Sequence, residues 1–246
     1  MSDSQQTKQI CLTQPPEFKG SFRRVNVGLP DDKKVVTIPR WDVKKQSNRK
    51  IFYFFREDTF PTSDKDLVAN PATFAASKMK DAIKEWNDIG FGITFERTFT
   101  QASAHFNVVF SEYGPDDKKD VAARSFFPND LDGNTLIVFR ANLFWLWKDT
   151  DQLKGTFLHE LGHILGLRHE FALTKEIDKE TKAATAVQFP GTQPNEDSVM
   201  NYGFLPAKMQ SSDIAGIKAF YQVANGFKIG TYPVVDFEPT LRKAGK

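Results

Sequence analysis

The chain has a single cysteine, Cys11, among 246 residues. No internal disulfide can form, and the fold has to be held by a packed core. Charge of either sign is also missing in excess: the formal net charge is +2, with lysine and arginine scattered. That gives no electrostatic footprint for nucleic acid or for a membrane surface. No apolar run is long enough to cross a bilayer. Met1 to Gln9 is polar and carries no hydrophobic signal core. Internal repeats, low-complexity tracts, a glycine-rich phosphate loop and a cysteine-rich zinc knuckle are likewise absent. Histidine is scarce, with four in the chain, so its placement carries information.

What is present is a large apolar supply, 40% hydrophobic residues with 23 phenylalanines, enough for one sizeable core. Residues 1–45 are polar and broken by Pro15, Pro16, Gly20, Gly28, Pro30 and Pro39, as in an extended arm or prosegment, and one domain is expected over 46–246. Lys50 to Phe55 reads as a first strand. Asn70 and Pro71 start a helix whose apolar face is Ala75, Met79, Ala82, Ile83 and Trp86, closed by Gly90. Phe91 to Phe95 and His105 to Phe110 read as strands, with His105 a strand-surface or satisfied core histidine. Asp132-Gly133 marks a turn between Val121 to Phe127 and Thr135 to Phe139, an antiparallel hairpin. Ser211 to Tyr221 gives a last helix, capped near Ser212 or Asp213, with Ile214, Ile217, Ala219 and Phe220 facing the core.

The other three histidines fall within residues 159–169, His-Glu-Leu-Gly-His-Ile-Leu-Gly-Leu-Arg-His. On a helix His159 and His163 are one turn apart, about 6 Å of rise, so both leave one face and can grip one ion. Glu160 is placed to reach a water on that ion rather than the ion itself. Gly166 can take the left-handed conformation that ends the helix and turns His169 back to close the site. Asp149, Thr150 and Asp151 offer caps for this helix, and Leu153, Phe157, Leu161, Ile164 and Leu165 an apolar stripe. Three imidazoles with an open fourth position suit Zn2+ over magnesium or calcium, with cobalt or manganese as substitutes. A five-residue His-Glu-x-x-His string can arise by chance; the added glycine and third histidine argue against that.

Downstream stands Ser198-Val199-Met200-Asn201-Tyr202. Alone, Met200 would be core filler and Tyr202 a packed surface ring. With the first motif, the chain resembles the metzincin metallopeptidases. Glu170 directly after the third histidine, with Met-x-Tyr in the turn, is most similar to the astacin branch, although astacins are typically secreted with disulfides that this chain cannot make. The resemblance implies an α+β fold. A twisted, mixed five-stranded sheet would have an antiparallel edge strand, Ala122 to Phe126, along which substrate pairs. A backing helix, a central zinc helix and a C-terminal helix would complete it.

The resemblance also implies roles. Met200 would form the hydrophobic base beneath the zinc ligands, and Glu160 would act as general base. Tyr202 would stabilise the oxyanion, and Glu170 would meet the amino terminus of a processed enzyme; an exposed glutamate after a helix turn is the alternative. Related metzincins are kept latent by a prosegment cysteine, or by an aspartate following Phe-x-Gly. Here Phe18-Lys19-Gly20 is followed by Ser21, which leaves Cys11 as the candidate zinc-blocking thiol, with an incidental cysteine as the alternative.

The function expected is zinc-dependent endopeptidase activity on protein or peptide substrates. The chain should be a monomer that binds neither nucleic acid nor membrane. Export, with the leader removed or by another route, is expected over a cytoplasmic location. Two alternatives stand: a secreted effector or toxin acting mainly by binding a host protein, and a catalytically silent zinc protein.

Overall fold

The computed structural model describes residues 10–11, 37–43, 49–62, 68–112, 121–129, 134–140, 151–173, 186–201 and 208–241. Its main sheet is built from β1 (Ile10–Cys11), β3 (Arg49–Phe55), β4 (Ile93–Thr98), β5 (Phe106–Ser111), β6 (Val121–Arg124) and β7 (Thr135–Phe139), in the order β1-β6-β7-β5-β3-β4. The parallel strands β7, β5, β3 and β4 are joined to β6, which runs antiparallel to β7. This is the expected mixed five-stranded sheet with an antiparallel edge. The short β1 adds a sixth strand outside β6, pairing parallel to it with Cys11 opposite Ala123. The edge strand stops at Arg124 rather than reaching Phe126, because Ser125 turns its hydroxyl onto the zinc-motif helix.

Alternation decides which sheet face is buried. In β3, Ile51, Tyr53 and Phe55 are buried while Phe52 and Phe54 are only partly so, as period two requires. Behind this face lie α1 (Pro71–Asp88) and α2 (Gln152–Ile164). Asn70 caps α1 by accepting the Thr73 amide at 3.1 Å, and the predicted stripe from Ala75 to Trp86 is its buried face. Trp86 ties the helices together, its indole N–H donating to the Leu158 carbonyl at 3.0 Å. Asp151 is the N-cap of α2, without a side-chain capping bond; Asp149 and Thr150 lie outside the described residues. His105 is a satisfied core histidine: its Nδ1 accepts the Phe52 amide at 2.8 Å and its ring stacks on Phe52.

The last helix, α3 (Ser211–Gln222), begins at Ser211 as expected, but its cap lies two residues ahead of Ser212. Gln210 is the cap, and Asp213 closes a capping box from the third helical position. Ile217 and Phe220 are buried, whereas Ile214 and Ala219 are half-buried.

Ile38–Trp41, on the amino-terminal side of the boundary expected at residue 45, forms β2. It pairs parallel with β9 (Tyr232–Phe237), and β8 (Lys228–Ile229) completes this second sheet. Arg40 secures it. This guanidinium, 1% exposed, donates to Asp236 Oδ1 at 2.6 Å, to the Val223 carbonyl at 2.8 Å and to the Phe220 carbonyl. It thereby satisfies carbonyls at the end of α3 that the helix leaves without partners. No helix among the described residues is long and apolar enough to cross a membrane.

Candidate active site

The site is assembled on the carboxyl end of α2. Leu153, Phe157, Leu161 and Ile164 are fully buried in the core, which fixes the rotation of the helix and brings His159 and His163 onto the opposite flank. The helix then ends in a Schellman turn: the Leu167 amide donates to the Gly162 carbonyl and the Gly166 amide to the His163 carbonyl, both at 2.9 Å. Gly166 has φ of 97°, the left-handed value predicted for it, and a Cβ there would overlap the Pro39 carbonyl of β2. The reversal delivers His169. All three imidazoles are buried, and their ligand nitrogens lie within 4.8 Å of one another.

Donor orientation fits a metal. His159 Nδ1 lies 2.8 Å from the Val199 carbonyl, and His163 Nδ1 2.8 Å from the Leu167 carbonyl. A carbonyl can only accept, so each Nδ1 carries the proton and each Nε2 keeps its lone pair. The Nε2 of His163 is 3.2 Å from that of His159 and 3.2 Å from that of His169. Tetrahedral zinc with Zn–N bonds of about 2.05 Å separates its nitrogens by about 3.3 Å, a spacing that both distances from His163 match. Burial lowers the pKa of His159 and, with the mutual charge of the cluster, holds His163 and His169 well below the ordinary histidine value. The neutral, ligating form is thereby favoured at pH 7.

Beneath this cluster lies the Met-turn. Met200 packs its thioether against Gly162 and belongs to the same buried core cluster as Trp86. The turn is held by Asp213. One carboxylate oxygen accepts the Ser198 hydroxyl at 2.6 Å, and the other accepts the Val199 amide at 3.0 Å and the Gln210 amide at 2.8 Å. Since Val199 supplies the carbonyl that orients His159, a carboxylate on α3 indirectly sets a zinc ligand. Sequence reading named Asp213 only as a helix cap; the serine-valine pair ahead of Met200 carried no signal of this partnership.

The catalytic candidate Glu160 is wholly buried, and its carboxylate accepts the Ser125 hydroxyl at 2.7 Å. Phe127 meets the His163 ring edge-on with centroids 5.4 Å apart, and Phe171 stacks on His169 at 4.8 Å. Ser125, Gly162 and the aromatic neighbours were not singled out from sequence.

Glu170, next in the chain to the third histidine, is half-buried. It borders a cavity of about 380 Å³ that Thr37, Phe189, Asp213 and Phe220 also line. Burial, with the Asp213 charge, raises its pKa. Tyr202 lies outside the described residues. For Cys11 the backbone alone is described, paired to β6 as above.

The family model for Matrixin matches residues 53–186, just over half the chain and all three histidines. No curated protein sequence matches. Among solved structures, one of myroilysin has 14% identity and a TM-score of 0.47, covering 75% of this chain and 96% of that one; a second has 14% identity and a TM-score of 0.49, covering 88% and 92%. High choriolytic enzyme 1, a hatching enzyme zinc-protease from Oryzias latipes (Medaka fish), has 16% identity and a TM-score of 0.44, covering 75% and 95%. With three histidines converging at zinc-ligand spacing over a methionine-bearing turn, the chain belongs to the matrixin family and is a metzincin zinc metallopeptidase.

Proposed function

We propose that the protein is an endopeptidase in which Glu160 is the general base. The observation that carries this reading is the burial of Glu160 directly beside a complete three-histidine donor set, since a purely structural zinc site needs no such carboxylate. His159, His163 and His169 would hold the ion, which when bound supplies a Lewis acid and makes a coordinated water acidic near neutral pH. Glu160 takes the proton of the attacking water and delivers it to the leaving amine nitrogen. Tyr202 donates a hydrogen bond to the developing oxyanion. Substrate backbone pairs with the edge strand β6, which fixes the scissile bond relative to α2.

Two astacin-like features are part of the reading. Glu170 receives the ammonium of a new amino terminus after the arm is removed; the shared cavity lining of Thr37 and Glu170 supports this. Before removal the arm keeps the enzyme latent, with the Cys11 thiolate as the blocking ligand. The pairing of Ile10–Cys11 along β6, where substrate would lie, supports that role.

The test is bound metal and cleavage of casein or gelatin by wild type and Glu160→Ala. Wild type should carry zinc and cleave. Glu160→Ala should keep the metal and lose at least about a hundredfold in turnover. Zinc-loaded wild type that stays inert after its arm is removed would refute the hydrolase reading.

A further inference from the structure

Ser125 is the first residue past the edge strand β6, and its side chain turns inward. Its Oγ lies 2.7 Å from Glu160 Oε2 and 3.0 Å from the Glu160 main-chain carbonyl oxygen, in a buried setting. One hydroxyl hydrogen can serve one acceptor at a time. The carboxylate oxygen is the nearer of the two, at a length usual for an O–H···O hydrogen bond. We infer that Ser125 is a positioning residue for Glu160, holding its carboxylate in the one orientation from which it can take and return a proton; the inference rests on the hydrolase reading above.

The physical case starts from glutamate itself. Its three side-chain torsions give it several staggered arrangements, whereas a base that receives a proton from water and passes it to the amine must present the same oxygen to two atoms in succession. A bond to a rigid neighbour selects one arrangement. Ser125 is such a neighbour because both following residues are anchored. Phe126 packs against Phe106 with centroids 5.7 Å apart, and Phe127 meets His163 at 5.4 Å. The serine cannot swing away from α2 without displacing them.

The same bond links two functions. β6 is the strand on which substrate backbone would pair, and Ser125 directly follows its last residue, Arg124. The general base is therefore referenced directly to the strand that aligns the peptide bond. Ser125 neither gains nor loses a proton over the cycle; the proton travels from water to Glu160 to the leaving nitrogen, while the water oxygen bonds the carbonyl carbon and the C–N bond breaks.

The experiment compares zinc-loaded full-length Ser125→Ala and Ser125→Thr with wild type, each treated identically to remove the arm. The readouts are kcat and KM on a quenched fluorescent peptide, zinc affinity by chelator competition, and the melting temperature. Ser125→Ala should lose about tenfold or more in kcat with KM within about twofold, as removal of an interaction that matters in the transition state requires. Zinc affinity and melting temperature should stay near wild type. Ser125→Thr, which keeps the hydroxyl, should recover most of the rate. Adding Ser125→Ala to Glu160→Ala should cost nothing further. Should Ser125→Ala not fold, Ser125→Cys, of similar size and a weaker donor, is measured for the same split. Unchanged kcat, a loss confined to zinc affinity or stability, or a threonine variant as slow as alanine would overturn the assignment while leaving an active wild type and the hydrolase reading intact. An inert wild type would overturn both.

Discussion

The thioether of Met200 sits against the backbone of Gly162 so closely that a Cβ on the glycine would overlap the sulfur. The glycine inside the zinc motif is thus the counterpart of the methionine 38 positions later, one supplying the recess and the other the filling. Gly162→Ala should destabilise the protein by roughly 1–3 kcal/mol through overpacking, even though alanine is the better helix former. Zinc affinity should fall with it, because the contact lies directly under the ligands. Gly162→Ala combined with Met200→Ala should be less damaged than the two single effects summed. Melting temperatures across this double-mutant cycle measure the coupling; strict additivity would mean that the two residues do not press on each other.

The buried histidines make a prediction about the metal-free protein. Burial lowers the pKa of His159 and, reinforced by the charge of the neighbouring imidazoles, holds His163 and His169 well below the ordinary value. The unfolded chain, with ordinary imidazoles, binds protons from about pH 6.5 downward, whereas the folded chain resists them. Stability is therefore fully present above about pH 6.5 and is lost as pH falls below it. Melting of chelator-stripped protein at pH 7.5 and pH 5.5 should show a drop of several degrees on the acid side. A flat profile would mean that the imidazoles are not buried as described.

Glu170 should matter only after processing. Two carboxylates, Glu170 and Asp213, share one cavity wall, and burial together with the Asp213 charge raises the pKa of Glu170. A cation entering the cavity would relieve this. Sequencing the active form should find a new terminus close to Thr37, which lines the same cavity. Glu170→Gln should lower the activity and melting temperature of that processed form while leaving the full-length chain near wild type. An active species that still begins near Met1 would point instead to an internal lysine or arginine as the partner.

Cys11→Ser, tested in the full-length zinc-loaded protein under reducing conditions, should be more active than wild type before any cleavage. The wild-type thiol should resist alkylation while zinc is bound and react once the metal is stripped. Equal activities, or a thiol that reacts freely in both states, would remove Cys11 from the latency mechanism and leave it an incidental cysteine.

Legibility in the sequence followed locality. The zinc helix, its Gly166 turn and the cap of α1 at Asn70 were readable because each is decided within a few residues: one helical turn between ligands, one left-handed glycine, one side chain reaching the third amide. The sheet was readable from alternation, short of its exact ends, and the expected antiparallel pairing of β6 with β7 is present, while Asp132 and Gly133 lie outside the described residues. Pairings that bring distant segments together left no trace. Neither Ser125 nor Glu160 advertises a partner 35 positions away, and Asp213 looks like any helix-capping aspartate until the Ser198 turn is folded onto it. Residues 38–41 read as part of a broken arm because Pro39 sits in them, and proline in a strand is tolerated only where its missing N–H is not needed.

That last strand has a consequence for the order in which the enzyme is made. Arg40 and Asp236 are separated by 196 positions, and β2, whose Pro39 carbonyl closes over the Gly166 turn, has no sheet partner until β9 exists. A nascent chain that has emerged only as far as α3 already contains all three histidines but has not yet gained the strand that clamps β2 over the turn behind them. Closing so long a loop is an entropically late event. Clamping of the metal-binding turn from behind is thereby deferred until β9 has been made, well after the three histidines themselves.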